Sequence, residues 1–169
     1  MAVPSPGISV RPATVADAAA IAAIYNHEVL TTTATFDLVP RDVAEQREWL
    51  LARSGAFSAI VAVDADAGVV GFGSLSPYKE RAAYRTTVED SVYVDRSFGG
   101  RGIGTRLVMR LLEIAKESGF HTVVARIEAG GTASRSLHAR CGFELVGIER
   151  EVGRKFNRWL DVAVMQIVL

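Results

Sequence analysis

The stretch SVYVDRSFGGRGIGTRL, residues 91–107, limits what this chain can become more than any other. A run of β-branched and aromatic residues stops at a glycine cluster and resumes with helical spacing. That pattern predicts a strand, a bared turn and a helix N-terminus in direct succession. Unpaired amides at a helix start point outward, the helix dipole favours negative charge there, and glycines let an anion approach the backbone. The phosphate loop of nucleotide hydrolases needs G-x-x-x-x-G-K-[ST], but Gly99 and Gly104 are followed by Thr105 and Arg106, so its lysine is missing. A dinucleotide loop, G-x-G-x-x-G, beginning at Gly100 and Gly102 would need its third glycine where Thr105 stands. A glycine turn that holds no ligand is the plain alternative.

The elements around this stretch alternate without a linker. ISVRPA reads as an opening strand after a short leader, residues 1–7, and Thr14 with Asp17 forms a capping-box pattern before the helix ADAAAIAAIYNHEVL. TTTATFDLVP is a polar loop, and RDVAEQREWLLARSG has helical spacing with Val43, Trp49 and Leu50 as its apolar positions. FSAIVAVD and VVGFGSLS form a hairpin around DADAG, PYKERAAYR is a charged connection, and TTVEDSVYVD is a further strand. TRLVMRLLEIAKESG is a helix stopped by Gly119, HTVVARIE a strand, and TASRSLHARCGF a short helix ending at Gly142. FELVGIEREVG and WLDVAVMQIVL close the chain as strands. The order βααβββαβαββ predicts a mixed α/β (α+β) fold, and 169 residues, 49% of them hydrophobic, suffice for one domain, 1–169, with a substantial core.

Charge and cysteine content narrow the function classes. Nineteen basic residues balance nineteen acidic ones, so no whole-surface attraction draws the chain to nucleic acid or to an anionic membrane. The lone Cys141 excludes an internal disulfide framework and fits a reducing compartment. No apolar run reaches the roughly 18 to 20 residues that span a bilayer, and MAVPSPG lacks the basic and apolar regions of a signal peptide. These features predict a cytoplasmic protein.

GGRGIGTRL opening a helix, followed by a strand and then SRSLHARCGFE, resembles the GNAT superfamily of acetyl-CoA-dependent N-acetyltransferases. IYNHEVLTTTATFD, YRTTVEDSVYV, SLHARCGF and VGRKFNRWLDV, in that order, resemble its phosphinothricin and methionine sulfoximine N-acetyltransferase branch over nearly the whole chain. The resemblance implies a central mixed sheet that splays to admit the pantetheine arm of acetyl-CoA, flanking helices and a homodimer. It implies cofactor contacts from Gly99, Gly100, Arg101, Gly102, Ile103, Gly104 and Thr105, and, through a bulge in the strand before them, from Val92, Tyr93 and Val94. Two positions depart from the family. Gly99, preceded by Phe98, stands where Arg or Gln is usual, with Arg101 as the expected compensation. Gly130-Gly131-Thr132 replaces a turn that often carries Asn, with Gly131 and Ser134 as the expected contacts.

An amine attacks a thioester only when unprotonated, so a base beside the cleft is useful. Alternation puts Thr87, Glu89, Ser91 and Tyr93 on one face of their strand and Val88, Asp90, Val92 and Val94 on the other. Glu89, ten residues before the glycine loop, matches the family's catalytic carboxylate in TVE and is expected to act directly or through a water. His138 stands where many relatives carry an acidic Tyr and is the candidate acid for the departing thiol, with core packing as the plainer reading. His138 and Cys141 lack partners at ligand spacing, so no metal is expected. A small amino acid presents a carboxylate beside its amine, which Lys79, Arg81 or Arg85 can read. Phe36 and Tyr84 are expected to wall the pocket, Asp90 and Ser91 to complete it, and Lys155, Arg158, Trp159 and Asp161 to lie near the site or the dimer interface. The expected reaction is acetyl transfer to the α-amino group of a small amino acid analogue. Transfer to another amine, such as a polyamine or a protein N-terminus, and a non-catalytic acyl-CoA sensor are the alternatives.

Overall fold

The computed structural model describes residues 7–169, so the expected leader lies outside the described residues except for Gly7. The elements run β1 (Ile8–Pro12), α1 (Ala18–Thr31), α2 (Val43–Leu51), β2 (Ile60–Asp64), β3 (Gly68–Pro77), β4 (Thr87–Val94), α3 (Ile103–Glu117), β5 (Thr122–Glu128), α4 (Thr132–Arg140), β6 (Glu144–Lys155) and β7 (Arg158–Val168), in the expected order. Single 3-10 turns at 15–17, 55–57, 82–84 and 96–98 were not legible in the apolar pattern.

All seven strands join one sheet in the order β1-β2-β3-β4-β5-β7-β6. Neighbours are antiparallel throughout except β4 and β5, which run parallel because α3 carries the chain across between them. The helices cover both faces. On α3 the apolar residues Ile103, Leu107, Val108, Leu111 and Ala115 form one stripe, and it packs on Val88, Val123, Ala125 and Met165. On the opposite face Ile21, Ile24, Tyr25 and Val29 of α1 pack on Val61 and Phe72. Each large side chain so buried contributes roughly 1.5–3 kcal/mol of apolar transfer.

Two helix starts show how local chemistry sets the boundaries. The Thr14 box is present, with the Asp17 carboxylate accepting from the Thr14 amide at 2.8 Å, but it opens only a single 3-10 turn before α1. The second helix starts at its first apolar position, Val43, because Asp42 caps it there, and it ends at Leu51, short of the ARSG that closes the apolar run. The Asp42 carboxylate accepts from the Glu45 amide and Glu45 from the Asp42 amide, both at 2.8 Å. Cys141 is free and buried, and no helix among the described residues is long and apolar enough to cross a membrane.

Candidate active site

The centre of the sheet is only partly closed. The strand pairing of β4 with β5 covers Thr87–Glu89 against Thr122–Val124 and then ends, although β4 continues to Val94 and β5 to Glu128. On its other side β4 keeps unbroken register with β3 from Val88 to Val94, so the expected bulge at Val92 and Val94 is absent there. The opening arises instead because β5 turns away with its antiparallel partner β7, a ladder that holds from Thr122 to Glu128. Residues 90–94 therefore face a gap on their β5 side. From Glu89 to Val94 this gap runs roughly 17 Å at strand rise.

The glycine loop stands at the far end of that gap. Gly102 caps α3 with φ +76°, a left-handed conformation in which a side chain would be strained. The first backbone bond of the helix is from the Arg106 amide to the Gly102 carbonyl, at 3.2 Å, and the amides of residues 100–105 have no acceptor among the described residues. Gly99 departs from expectation, because its amide already donates to the Arg96 carbonyl at 3.2 Å. Gly104 also serves the packing behind the loop. A Cβ there would come within 2.8 Å of Leu137, so its absence lets α4 close on α3. Ile103 is buried in the core and offers its amide alone, whereas Arg101 lies exposed at the mouth, its guanidinium 4.7 Å from the Phe98 ring. Of the turn before α4, Gly131 spends its amide on the Glu128 carbonyl at 2.8 Å, and the Ser134 hydroxyl has no partner among the described residues.

Glu89 sits where the pairing ends, half-buried, and its carboxylate makes no hydrogen bond among the described residues. Burial pushes its pKa up. Arg126 opposes the shift, and the negative charges of Asp90 and Glu149 add to it. Arg126, on the same face of β5, is gripped by both oxygens of Glu149 at 3.1 and 2.5 Å. Ser91, half-buried, follows on the same face of β4. Tyr93, further along, stacks on Phe72 at 5.3 Å and meets Tyr25 edge-on at 5.2 Å, so its ring belongs to the α1 packing rather than to a ligand contact.

Asp90 and His138 overturn two expectations together. Asp90 is buried on the face opposite Glu89, where it accepts or shares a proton with His138 Nε2 at 2.9 Å, so it does not line an acceptor pocket. His138 Nδ1 faces the Ser134 carbonyl at 2.8 Å, which obliges that nitrogen to carry a proton. Both ring nitrogens are thus engaged, and His138 fastens α4 to β4 instead of presenting an acid to the gap. Burial pulls the imidazolium pKa down, but the Asp90 hydrogen bond and charge, helped by the Ser134 carbonyl, outweigh it and the net shift is upward.

The remaining candidates divide. Phe36 leaves the α1–α2 loop and lies directly on Gly153 of β6, where a Cβ would overlap its ring. Lys79, Arg81 and Arg85 are exposed on the connection before β4, unpaired with any carboxylate among the described residues, and Lys79 lies over the rings of Tyr78 and Tyr84 at 4.8 and 5.1 Å. Sequence reasoning missed Arg126, Glu28 and Arg96, and gave Lys155, which joins the last two through the Glu28 carbonyl, only a general place near the site or the dimer interface. Glu28 could have been found, because it continues the inward stripe of Ile21 and Tyr25, where a carboxylate needs a partner.

Comparison with known proteins agrees with this architecture. Residues 21–143 match the family described as Acetyltransferase (GNAT) family. The chain is 43% identical over 162 residues, 95% of its length and 94% of the relative's, to an L-methionine sulfoximine/L-methionine sulfone acetyltransferase of Pseudomonas paraeruginosa. It is 42% identical over 159 residues, 92% of this chain and 93% of the relative, to a phosphinothricin N-acetyltransferase of Streptomyces coelicolor. Among solved structures, a GNAT superfamily phosphinothricin acetyltransferase from Sinorhizobium meliloti in complex with AcCoA superposes with a TM-score of 0.91 at 35% identity, covering 96% of this chain and 89% of that one. With its parted central strands, its amide-lined helix start and this likeness along nearly its full length, the chain belongs to the GNAT acetyltransferase family.

Proposed function

We propose that this enzyme moves acetyl from acetyl-CoA to the α-amino group of a small amino acid analogue of the methionine sulfoximine or phosphinothricin kind. One observation carries the reading: the gap between β4 and β5 runs from the free amides of residues 100–105 to the half-buried carboxylate of Glu89. The residues present suit the co-substrate. The amides of Gly100 to Thr105 would hold the diphosphate, Arg101 would add charge at the mouth, and the backbone of residues 90–94 would line the pantetheine arm. Bound there, acetyl-CoA supplies an acetyl group activated as a thioester.

Glu89 is the base. Its raised pKa keeps it a better proton acceptor than an exposed carboxylate, and it takes the ammonium proton directly or through a water. The amine nitrogen then bonds to the acetyl carbon, the carbon–sulfur bond breaks, and the thiol leaves with a proton. Arg126 lies on the Glu89 face of β5 and its partner Glu149 is solvent-exposed, so it can exchange that carboxylate for the acceptor's, and we assign it, ahead of Arg85, to the acceptor carboxylate. The test measures thiol release with methionine sulfoximine and its amide. A charge-assisted bond of about 1.5 to 3 kcal/mol predicts a free-acid preference of roughly 10- to 150-fold in kcat/KM, erased in Arg126→Ala. Equal rates for acid and amide in the unaltered enzyme would sink the amino acid reading, and a preference lost only in Arg85→Ala would move the assignment there.

A homodimer is part of the same reading. β6 is twelve residues long and ends the sheet, and it exposes the apolar side chains Leu145, Val146, Ile148 and Val152, a surface that invites a second copy. Sedimentation should give a dimer that Val146→Lys with Ile148→Lys converts to monomer. A monomeric parent at micromolar concentration would remove the proposal.

A further inference from the structure

Glu28 is a buried carboxylate with every oxygen occupied. Arg96 donates to it twice, through Nε at 2.8 Å and through a terminal nitrogen at 2.7 Å, and the Thr32 hydroxyl donates at 2.6 Å. The glutamate side chain is 5% exposed, the arginine 60%. The backbone carbonyl of Glu28 accepts from the Thr32 amide at 3.1 Å and from Lys155 at 3.4 Å, and Lys155 also donates to the Thr35 carbonyl at 2.8 Å. Thr33 reaches across to Glu128 at 3.0 Å. Glu28 therefore joins three segments: the turn leading into the glycine loop, the start of the α1–α2 loop that carries Phe36, and the end of β6.

We propose that Arg96 is a positioning residue for the acceptor side of the site, holding Glu28 so that the segment from Thr32 to Phe36, which Thr33 ties to Glu128 on the Glu89 and Arg126 face of β5, stays seated on β5 and β6. This rests on the acceptor reading above for its kinetic consequence, not for its structural one. Arg96 stands four residues before the first free amide of the glycine loop, so a direct contact to the co-substrate would be the ordinary expectation for it. Its guanidinium is instead committed to Glu28 through two parallel bonds, the geometry in which arginine fixes orientation as well as charge. Removing it leaves a desolvated carboxylate at the root of the α1–α2 loop, and the loop moves to hydrate it. Near Glu28 among the described residues, the other ionisable groups are His27 of the same helix and Lys155.

The experiment uses Arg96→Ala, Arg96→Lys, Glu28→Gln and the Arg96→Ala/Glu28→Gln pair. Loss of the two charge-assisted bonds should raise KM for methionine sulfoximine on the order of tenfold in Arg96→Ala, with acetyl-CoA affinity by calorimetry changed less than about threefold and Arg96→Lys partly restored. The double variant should be no worse than the poorer single one, since the pair acts as a unit. Glu28→Gln keeps the shape and the Thr32 contact, so it reports even where Arg96→Ala folds poorly. Hydrogen exchange of the amides from Thr32 to Arg41 should speed up in Arg96→Ala while those of α3 do not, a readout that holds whatever the acceptor is. Weakened acetyl-CoA binding with an unchanged acceptor KM would make Arg96 a co-substrate ligand and overturn the proposal. Additive effects, or exchange unchanged in the loop, would overturn it as well.

Discussion

Glu89 and Asp90 are neighbouring carboxylates on one strand, and the sheet treats them as opposites. Asp90 turns under α4, loses nearly all contact with water, and is matched by a histidine whose other nitrogen is also bonded. Glu89 turns to the opposite face at the point where the pairing ends, is half-buried, and has no hydrogen-bond partner of its own among the described residues. The closed face keeps a charge by neutralising it, and the open face keeps one by leaving it available. Alternation separates the two residues without saying which face is open, and the burial of the two faces decides that.

The largest effect that would sharpen this contrast is catalytic. Glu89→Gln should lower kcat by about 10²- to 10⁴-fold with acetyl-CoA affinity nearly unchanged. Because burial holds the folded-state pKa of Glu89 above its unfolded value, the ionised carboxylate costs stability once the pH exceeds both values. The same variant should therefore melt slightly higher than its parent at neutral pH, so activity and stability move in opposite directions. A variant that kept most of its kcat would make Glu89 a structural residue and dissolve the contrast.

Asp90→Ala should reverse the pattern. Breaking one partner of a buried pair typically costs about 3 to 5 kcal/mol, so the melting temperature falls by several degrees or more. Acetyl transfer by the fraction that remains folded should change much less than in Glu89→Gln. A fall in kcat as deep as that of Glu89→Gln, in protein shown to be folded, would mean that the pair takes part in chemistry. The smallest expected effect is the pH dependence of the parent. The raised pKa of His138 means that its contribution is fully present below the ordinary histidine value near 6.5 and is lost as pH rises through the folded value. Melting followed from about pH 6 to 9 should show that loss in the parent and not in Asp90→Ala.

How much of this was legible depended on whether the cause was local. The alternation that sends Glu89 and Asp90 to opposite faces is a property of any strand, and the element order followed from apolar period and glycine punctuation. The start of α2 was legible because the Asp42 cap and the apolar spacing agree at Val43, whereas its end at Leu51 falls short of the run that spacing suggests. The bulge expected at Val92 came from resemblance, and the β3–β4 register overruled it. Arg126 was invisible as a site residue because only the register of a parallel pair formed across α3 brings it to the Glu89 face. Arg96 was missed for a similar reason, since its partner lies 68 residues away in the chain.

The three-residue ladder between β4 and β5 has a mechanical consequence. Beyond Glu89 no strand-to-strand pairing sets how far apart those strands stand, yet α3 packs on Val88 of one and on Val123 and Ala125 of the other. The helix is a splint across a break, and the width of that break is governed by side chains such as Leu107 and Leu111, fully buried behind it. Room for a longer acyl chain would then be a matter of core volume, adjustable from behind the wall without touching the channel lining.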